Sequence, residues 1–545
     1  MEILLVAPRY HNRNVIDYNY PFPLGLGYIA AAVKRAGFRL QCLNMNHCAG
    51  TIEDILNAAM DAQRYDIVLT GNNSLGFATT ARMLNAIKTH PTRPTTVLGG
   101  PIITTEPELV MQYTKSDYGV IGEGEVTIVD LLDCIGNDRD PDRVRGIAYR
   151  RSEKIRFTEH RMPPNDLDTI PFPDLDAFDF ESWIDNKHPN DNQYQMCLDD
   201  PRPYMILGSR GCPFNCTFCY HENSYRERSI RNSFQEIDVA VRTYRANLIC
   251  FADDCFAAKR ERLEAFCDRM RALRGSVSWP LKWSCQLTVK GLSTETLKLL
   301  KESGCDSVSY GFESYSPTVL RSMKKPISPE EIDFAFESTL REGISIQANF
   351  IFGDPAETLE TAHETIRYWQ SKCFGQVNLG FVKPYPGSRI YDLCLQRKLI
   401  KNKLYYLENG IENILEMNMT KLSDGQFRRL ARYIFHLTRT QYRYVLVKRL
   451  RRNGDTYSLR IKCPFCRKKL WYRNIALDNV YDYSFGVFCR HCGKRYFAMG
   501  MLARLALVYF TVRYYAAALA IFVLDGCTRP EGPGSACCEN GSDRL

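Results

Sequence analysis

The sequence predicts an α/β protein of several domains. We expect a doubly wound domain at residues 1–140, a partial six-stranded β/α barrel at 201–395, and a mostly helical C-terminal region with a small four-cysteine module. A length of 545 residues favours three or four domains. Short, uniformly apolar runs alternate with helical patterns in the first two regions, whereas beyond residue 400 the composition shifts to Lys, Arg and paired Cys.

Residues 1–140 contain five short runs that are mainly apolar. Such runs are typical of strands buried on both faces of a parallel sheet, because helices cover both faces of a doubly wound domain. Ligands bind such sheets at the carboxyl ends of the strands. The predicted strands are 2–6, 40–43, 66–69, 96–98 and 118–121.

A linker is expected at residues 141–200, with a stretch rich in Pro and Asp at 163–174. Strand and helix patterns then return, which predicts a partial β/α barrel whose chemistry lies at the carboxyl ends of its strands. Its predicted strands are 204–209, 247–251, 281–286, 305–310, 344–352 and 376–383.

The C-terminal third is expected to begin with a basic helical region at 396–455. Ten Lys or Arg and one acidic residue lie between Lys421 and Arg452. A helical stripe of apolar residues is formed by Phe427, Leu430, Ile434 and Leu437. The module follows at 456–500, then an apolar segment and flexible tail at 501–545. The longest uncharged run of this last segment, Tyr514–Leu524, has eleven residues, too few to span a bilayer. A helix that lies on a membrane surface is the alternative interpretation of this segment.

Composition limits the class of protein. Hydrophobic residues make up 45% and charged residues 24%, which excludes a disordered, collagen-like or disulfide-stapled chain. The net charge of +9 is small for this length, so nucleic acid is not an expected partner. The N-terminus lacks the basic and apolar regions of a signal peptide, which predicts a cytoplasmic protein. In that compartment, clusters among the 21 cysteines are expected to bind metal.

The strongest motif follows the first predicted barrel strand. It contains three cysteines spaced four and three residues apart, Cys212, Cys216 and Cys219. Three thiolates can bind three corners of a four-iron cluster, so the fourth iron stays open for a substrate or cofactor. A zinc site is the alternative use of these residues.

On this motif the chain resembles the radical S-adenosylmethionine (SAM) superfamily. Its CxxxCxxC pattern, with an aromatic residue before the last Cys, matches Cys212, Cys216, Phe218 and Cys219. The resemblance implies a four-iron four-sulfur cluster whose open iron binds SAM. An electron from an external donor, such as flavodoxin or ferredoxin, then cleaves SAM to methionine and a 5′-deoxyadenosyl radical. We expect the protein to orient the cofactor and exclude water.

Later strand ends match the same superfamily. The resemblance implies that Asp253 and Asp254 contact the methionyl part of SAM and that Glu313 meets its ribose or amino group. Gly353 follows the fifth strand, and Pro386 is placed near the adenine. Carboxylates at strand ends also cap helices, and this alternative stays open for the acidic residues.

The N-terminal domain resembles the Rossmann-like domain of the cobalamin-binding radical SAM subgroup. The matching positions are Gly99, Gly100, Gly122 and Gly124, in loops where a missing Cβ lets the backbone approach a bulky ligand. Other cobalamin domains carry an Asp-x-His-x-x-Gly loop whose His ligates cobalt, whereas here Met45 stands at the Asp position before His47. We expect cobalamin to bind without His47, and a domain that has lost its cofactor is the alternative.

Two CxxC pairs form the C-terminal module, Cys463 with Cys466 and Cys489 with Cys492. Four thiolates can close a tetrahedral site, most simply for zinc in a zinc ribbon. Rubredoxin-type iron uses similar ligands and is the alternative.

The leading hypothesis for function is a cobalamin-dependent radical SAM enzyme that methylates an unactivated carbon of a lipid-like or other small-molecule precursor. One alternative is a radical SAM cyclase or coupling enzyme, acting on a lipid or tetrapyrrole without methyl transfer. A second is a non-catalytic iron–sulfur and zinc-ribbon protein that binds nucleic acid or senses redox state. Peripheral membrane contact stays open.

Overall fold

The computed structural model describes residues 1–513 except 12, 190–194, 221–224, 258, 412, 414–416, 477–479, 482–483 and 510. Within them the chain forms an N-terminal sheet of seven strands, a second sheet of six strands, and a C-terminal module with sheets of four and three strands. A two-stranded ribbon at Ser209–Arg210 and Arg226–Glu227 connects the first two parts.

The N-terminal sheet confirms the doubly wound fold. Its first five strands are parallel and coincide with the five predicted apolar runs. The order along the sheet is second, first, third, fourth, fifth, sixth, seventh. The strands are Glu2–Ala7, Arg39–Asn44, Ile67–Gly71, Thr95–Gly99, Tyr118–Val120, Ile147–Arg151 and Lys154–Phe157; the helices are Leu24–Arg35, Ile52–Ala62, Phe77–Thr89, Pro101–Thr105, Pro107–Thr114 and Gly124–Gly136.

The last two strands of this sheet form an antiparallel hairpin in the range expected to be a linker. Its first strand is buried only at Ile147–Tyr149, and Arg150, Arg151 and Lys154 give the rest of the hairpin a polar composition. The second strand lies mostly exposed at the edge of the sheet, so the long apolar run of a central strand is missing here.

The second sheet confirms the partial barrel. Its six strands are parallel and lie in sequence order, as expected for successive strand–helix units. The strands are Pro203–Ile206, Leu248–Phe251, Lys282–Leu287, Cys305–Glu313, Ser345–Phe352 and Asn378–Phe381; the main helices are Ile230–Thr243, Arg260–Gly275, Thr294–Glu302, Pro317–Ser322, Pro329–Arg341, Leu359–Tyr368 and Arg389–Gln396.

An aromatic cluster joins the N-terminal domain to the barrel. The short helix Phe180–Asp185 places Phe180 against Phe22 of the first domain, with ring centroids 5.0 Å apart. Phe180 also contacts Tyr204 of the first barrel strand at 5.8 Å, and Trp183 is fully buried beside it. The two domains therefore share one continuous apolar core.

Helix Asp424–Thr440 packs on the open side of the barrel. Ser423 and Gln426 form a capping box at its start. Its predicted apolar stripe is buried, and Phe427 contacts Phe381 of the last strand at 5.9 Å between centroids. Arg428, Arg429 and Arg432 stay exposed on the opposite face.

The four-cysteine module consists of strands, and they begin inside the region expected to be helical. One sheet holds Tyr444–Leu446, Val480–Tyr481, Ser484–Phe488 and Arg495–Met499; the other holds Arg449–Asn453, Thr456–Lys462 and Lys469–Ala476.

The module docks at the amino ends of the barrel strands. The Gln376 amide donates to the carbonyl of Arg495 at 2.8 Å and accepts from its backbone N–H at 2.6 Å. Gly493 lies against the backbone of Gly343 and Ile344, directly before the fifth strand. The module therefore lies at the edge opposite the carboxyl ends, where the chemistry is expected.

Residues 501–509 form an exposed helix after the module. Within the described ranges, no helix combines the length and apolar character needed to cross a membrane. The uncharged run Tyr514–Leu524 lies outside the described residues.

Candidate cofactor site

The cysteine motif lies in a loop at the carboxyl edge of the barrel. The ribbon of Ser209–Arg210 and Arg226–Glu227 brackets this loop, which we call the cluster loop. Its backbone is fixed from two sides: Thr217 N donates to the Met323 carbonyl at 3.0 Å, and Thr217 O accepts from Ile390 N at 3.0 Å. These two hydrogen bonds fix the position of Thr217, between the second and third cysteines of the motif.

The three thiols of the loop share a poorly solvated environment. Cys216 is buried and Cys212 half-buried, while Cys219 is open to solvent as a residue. Burial raises the pKa of all three thiols, to about 12 for Cys219. Free thiols would therefore stay protonated at neutral pH, and a metal must displace the protons as it binds. Three clustered thiols of this kind suit an iron–sulfur cluster.

A buried cation lies beside these thiols. Lys325 Nζ is 3.0 Å from Glu313 Oε1, and both side chains are largely buried. Burial lowers the pKa of Lys325, but Glu313 and Cys216 raise it, and the net shift is upward. Sequence analysis found Glu313 and missed Lys325, which belongs to no motif. Its positive charge partly compensates negative charge at the thiolates.

Glu313 adopts a left-handed backbone conformation, with φ of +60°. Such strain in a residue other than Gly is typical of functional sites. A Cβ at Gly311 would fall 2.2 Å from the Glu313 carboxylate and 2.5 Å from Lys325 Nζ, so a side chain here would displace the ion pair from this position.

Asp253 is predicted to contact SAM, but in the structure its carboxylate binds the protein chain. It is 3% exposed, and its carboxylate accepts hydrogen bonds from Gly208 N at 2.7 Å and Ser209 Oγ at 2.9 Å. Burial raises its pKa to about 7. Both oxygens bind the segment before Cys212, which favours a structural role. Asp254 is exposed near Cys212, whose pKa it raises.

The remaining predicted barrel residues line the same edge. Gly353 has φ of +105°, and its N–H donates to the buried carboxylate of Glu357. Pro386 is buried, and a Cβ on the next residue, Gly387, would fall 2.6 Å from Tyr220 of the cluster loop. Phe218 is half-buried in the apolar cluster of the N-terminal domain.

A cavity of about 920 Å³ opens at the carboxyl edge of the N-terminal sheet. The four predicted glycines Gly99, Gly100, Gly122 and Gly124 line it, together with Leu207 and Arg210 from the barrel. At Gly100, φ is +90° and a Cβ would fall 2.7 Å from the Asn72 carbonyl, so this turn requires glycine.

The lining of this cavity fits cobalamin. Its volume is at the upper end for ligand cavities, about 300–1,000 Å³. The buried hydroxyl of Tyr28, which lines it, has no hydrogen-bond partner among the described residues. A buried hydroxyl of this kind is costly unless a ligand or water binds it.

His47 lies outside this lining. Its Nε2 is 2.8 Å from the Tyr20 hydroxyl, its Nδ1 is 3.3 Å from an oxygen of Asp179, and Tyr18 packs on its ring. Burial lowers its pKa. These contacts support the prediction that His47 does not ligate cobalt.

Four charged side chains connect the cavity to the cluster loop. Arg210 pairs with Glu123 at 2.8 Å and with Glu125 at 2.6 Å, and Arg226 also pairs with Glu123. All four are at most 15% exposed. Glu123 therefore binds both ends of the ribbon that carries the cluster loop. The sequence predicted a role for its neighbours Gly122 and Gly124 but not for this glutamate.

The four cysteines of the C-terminal module converge. Their sulfur atoms all lie within 4.8 Å of one another, with Cys463–Cys492 at 3.8 Å and Cys466–Cys489 at 3.6 Å. A hydrogen bond with Cys489 lowers the pKa of Cys463 to about 5. This is the geometry of one tetrahedral ion with no open position.

The two halves of this site have the same backbone. Cys463 N donates to Lys468 O at 2.9 Å, and Cys489 N donates to Lys494 O at 2.9 Å. Arg467 and Gly493 hold equivalent left-handed positions, with φ of +63° and +68°. Zinc or rubredoxin-type iron fits this donor set.

Substituting Cys463→Ser should remove one metal ion per chain and expose residues 444–499 to protease. A metal-clamped module this small lacks a sufficient core without its ion. SAM cleavage should persist because the module docks at the far edge of the barrel. Elemental analysis with limited proteolysis measures this, with half-buried Cys42→Ser as the control. Equal metal content and protease resistance in both variants would contradict the metal site.

Two family models match the chain, and they coincide with the cavity and the cluster loop. The B12 binding domain matches residues 17–132, and the Radical SAM superfamily matches residues 206–369. The chain is a radical SAM protein with a B12-binding domain. The predicted family is thus confirmed.

Curated relatives of this radical SAM protein include enzymes of two reaction types. It is 26% identical to an uncharacterized methyltransferase of Pyrococcus horikoshii, over 80% of this chain and 93% of the relative. It is also 26% identical to the anaerobic magnesium-protoporphyrin IX monomethyl ester cyclase of Rubrivivax gelatinosus, over 72% and 69%. The cytidylyl-2-hydroxyethylphosphonate methyltransferase of Streptomyces wedmorensis is 24% identical, over 72% and 82%.

Solved structures share the fold. The methyltransferase TsrM from Kitasatospora setae, with cobalamin and a [4Fe-4S] cluster bound, is 16% identical with a TM-score of 0.59, covering 73% of this chain and 76% of its own. The cobalamin-dependent radical enzyme OxsB, with aqua-cobalamin bound, is 19% identical with a TM-score of 0.56, covering 79% and 60%.

Proposed function

We propose that this radical SAM protein is a cobalamin-dependent methyltransferase acting on an unactivated carbon of a small-molecule or lipid-like substrate. The observation that carries the proposal is the shared wall of its two sites. Arg210 lines the cavity, and Cys212 of the cluster loop lies two residues further along the chain. Chemistry at one site can therefore reach a substrate held at the other. Two of the relatives described above are named methyltransferases.

In this proposal Cys212, Cys216 and Cys219 hold the cluster, and Gly99, Gly100, Gly122 and Gly124 admit the corrin. When bound, the cluster supplies the electron that cleaves SAM, and cobalamin supplies a methyl carrier. Lys325 offsets the negative charge of the thiolates. Glu313 lies where it can bind the amino group or ribose of SAM, in exchange for part of its contact with Lys325.

The protein also limits water at the reacting centre. Cys216 and the Lys325–Glu313 pair are largely buried, and Tyr220 closes against Gly387 at the rim of the cluster loop. Exclusion of water protects a carbon radical from side reactions. Cys219 is exposed, so an external donor protein has a route for delivering an electron.

A radical SAM cyclase is the second candidate, because the relative from Rubrivivax gelatinosus is named as one. The two reactions differ in their SAM products. Methyl transfer converts one SAM to S-adenosylhomocysteine for each methyl delivered, while radical formation gives 5′-deoxyadenosine. A cyclisation gives 5′-deoxyadenosine without S-adenosylhomocysteine.

The test uses anaerobically reconstituted protein with cobalamin, dithionite and SAM carrying a ¹³C-labelled methyl group. Extract from cells lacking the gene supplies the substrate. We expect S-adenosylhomocysteine and 5′-deoxyadenosine in similar amounts, with one extract component gaining the label. Product formation with 5′-deoxyadenosine alone would favour the cyclase and contradict methyl transfer.

We also propose contact with an anionic membrane surface, through the outer face of the three-stranded sheet in the module. Arg449, Arg460 and Trp471 lie in one row across its strands, and Lys462 lies opposite Lys469. Like charges directly opposite each other are destabilising, so an external anion would stabilise this face. None of these cations makes an ion pair within the described part of the chain. In the exposed helix that follows, the side chains of Leu502 and Leu505 are open to solvent.

Sedimentation with phosphatidylglycerol vesicles tests this contact. The variant Arg449→Glu/Arg460→Glu/Lys462→Glu should bind at least roughly tenfold more weakly, since each surface cation contributes about 1 kcal/mol. Replacing Arg428, Arg429 and Arg432 by Glu on the exposed face of helix Asp424–Thr440 is the matched control. Equal loss in both variants, or equal binding to neutral phosphatidylcholine vesicles, would contradict the assignment.

A further inference from the structure

The second sheet has two unlike faces. Its outer face is apolar and packs against helices: Trp283 lies against Phe266 with ring centroids 4.8 Å apart, and the Tyr310 hydroxyl lies 2.9 Å from Thr339 Oγ1. Side chains alternate between the two faces of a strand, so the residues between these lie on the inner face of the partial barrel. A closed barrel fills its interior mainly with bulky Val, Ile and Leu.

The inner face of the third, fourth and fifth barrel strands is polar instead. Gln286 lies beside Ser309, and Ser309 lies beside Gln347 in the strand register. Asn349 comes two residues after Gln347 and is therefore on the same face. Gln286 and Asn349 are exposed and the other two are half-buried, so this face borders open space. We call these four residues the polar array.

Most of the polar array has no hydrogen-bond partner in the protein. Gln286 donates to the Asp254 carbonyl at 3.1 Å. The side chains of Ser309, Gln347 and Asn349 make no hydrogen bond with any residue that the structure describes. Hydroxyl and carboxamide groups both donate and accept hydrogen bonds. Three neighbouring residues therefore offer donors and acceptors to a bound molecule.

The charged groups near this face are engaged with other protein groups at its two ends. At the amino ends of the strands, Lys282 Nζ is 3.7 Å from Asp306 Oδ1, and the buried guanidinium of Arg495 donates to a strand carboxamide at 2.6 Å. At the carboxyl ends, Lys325 pairs with Glu313. A charged group bound at the polar array would therefore lose its water without gaining a counter-ion, which is costly.

We infer that the polar array binds the substrate, and that the part of the substrate held there is uncharged and carries amide or hydroxyl groups. An acyl chain in this place would leave the carboxamides of Gln347 and Asn349 without partners, at a cost in free energy. Ser309 lies four residues before Glu313, about 13 Å along the strand, so a molecule on the array can present a carbon toward the cofactors. The inference rests on the proposed function and narrows its substrate from lipid-like molecules to polar ones.

Partition of a cell extract tests the class of substrate. Extract from cells lacking the gene is separated into a chloroform phase and an aqueous methanol phase. Each phase is added to the reconstituted full chain with cobalamin, dithionite and SAM carrying a ¹³C-labelled methyl group. Formation of 5′-deoxyadenosine should rise with the aqueous phase and not with the chloroform phase.

The outcomes separate this inference from the proposed function. A rise with the chloroform phase alone would overturn the inference and leave methyl transfer intact. A rise with the aqueous phase but without transfer of the label would support the inference and contradict methyl transfer. No rise with either phase would contradict both.

Substitutions in the polar array test its residues. Gln347→Leu and Asn349→Leu keep the approximate size of the side chain but remove its hydrogen-bonding groups. Each should raise the amount of aqueous phase needed for half-maximal 5′-deoxyadenosine formation by about tenfold. Gln347→Glu, which replaces the carboxamide by a carboxylate of the same shape, should raise it as well. The matched control is Gln396→Leu, at an exposed position at the end of helix Arg389–Gln396, which should leave it unchanged.

A lower requirement in Gln347→Glu would indicate a cationic substrate and overturn the inference. An increase confined to the KM for SAM would assign the polar array to the cofactor and overturn it as well. Iron and corrinoid contents are measured in every variant to identify any that fails to fold, and the nearly isosteric Gln347→Glu decides the case if a leucine variant does.

Discussion

Replacing Cys212, Cys216 or Cys219 singly with alanine is expected to reduce the conversion of SAM to 5′-deoxyadenosine to background. Each thiol is proposed to hold one iron, and loss of any one leaves the cluster with two protein ligands. Anaerobic reconstitution, iron and sulfide analysis, and quantification of 5′-deoxyadenosine measure the effect.

The control for this experiment is Cys250→Ala, on the second barrel strand and outside the motif. It should keep both the iron content and 5′-deoxyadenosine formation. A motif variant with the full iron content and wild-type cleavage would contradict the assignment of the cluster.

The variant Glu123→Ala should destabilise the protein by about 3–5 kcal/mol, the cost of removing one partner from a buried ion pair. It removes the one carboxylate that both of the largely buried arginines, Arg210 and Arg226, contact in the described structure. At about 2.1 cal/mol/K of unfolding entropy per residue, a chain of this length should show a thermal midpoint lower by roughly 3–4 °C. The cluster loop should also bind iron less completely, because both ends of its ribbon lose an anchor.

The matched control is Glu159→Ala, in the same domain. Glu159 pairs with Arg145 at 3.1 Å, but both side chains are exposed, at 71% and 63%. An exposed pair contributes at most about 1 kcal/mol, so the midpoint should hardly move. If the two variants unfold at similar temperatures, Glu123 does not anchor the loop.

The features that the sequence predicted well, the parallel strands and the cysteine motifs, depend on short-range sequence patterns. Uniformly apolar runs such as Ile67–Gly71 are specific for strands buried on both faces, and all the predicted parallel strands are present. The cysteine spacings are equally local, because each motif completes a site within one loop or one pair of turns.

The features that the sequence could not predict depend on contacts between residues that are far apart in the chain. Arg226 and Glu123 are separated by 103 residues and meet only in the folded chain. Lys325 belongs to no motif, and its significance comes from the thiols and the carboxylate that the fold places beside it. The strands Tyr444–Leu446 and Arg449–Asn453 were expected to be helical because their basic residues continue the composition of the preceding helix. Pairing with later strands of the module determines their conformation instead.

The aromatic cluster around Phe180 limits how the domains of such a protein can be exchanged between relatives. Phe22, Trp183 and Tyr204 come from three separate parts of the chain, and each of them packs against Phe180. Either half produced alone would present a wide apolar surface to water and is expected to aggregate. Exchanging the corrinoid-binding half with that of a distant relative therefore requires the matching aromatic residues to be exchanged as well. Recombination within such proteins should accordingly favour breakpoints outside residues 1–210.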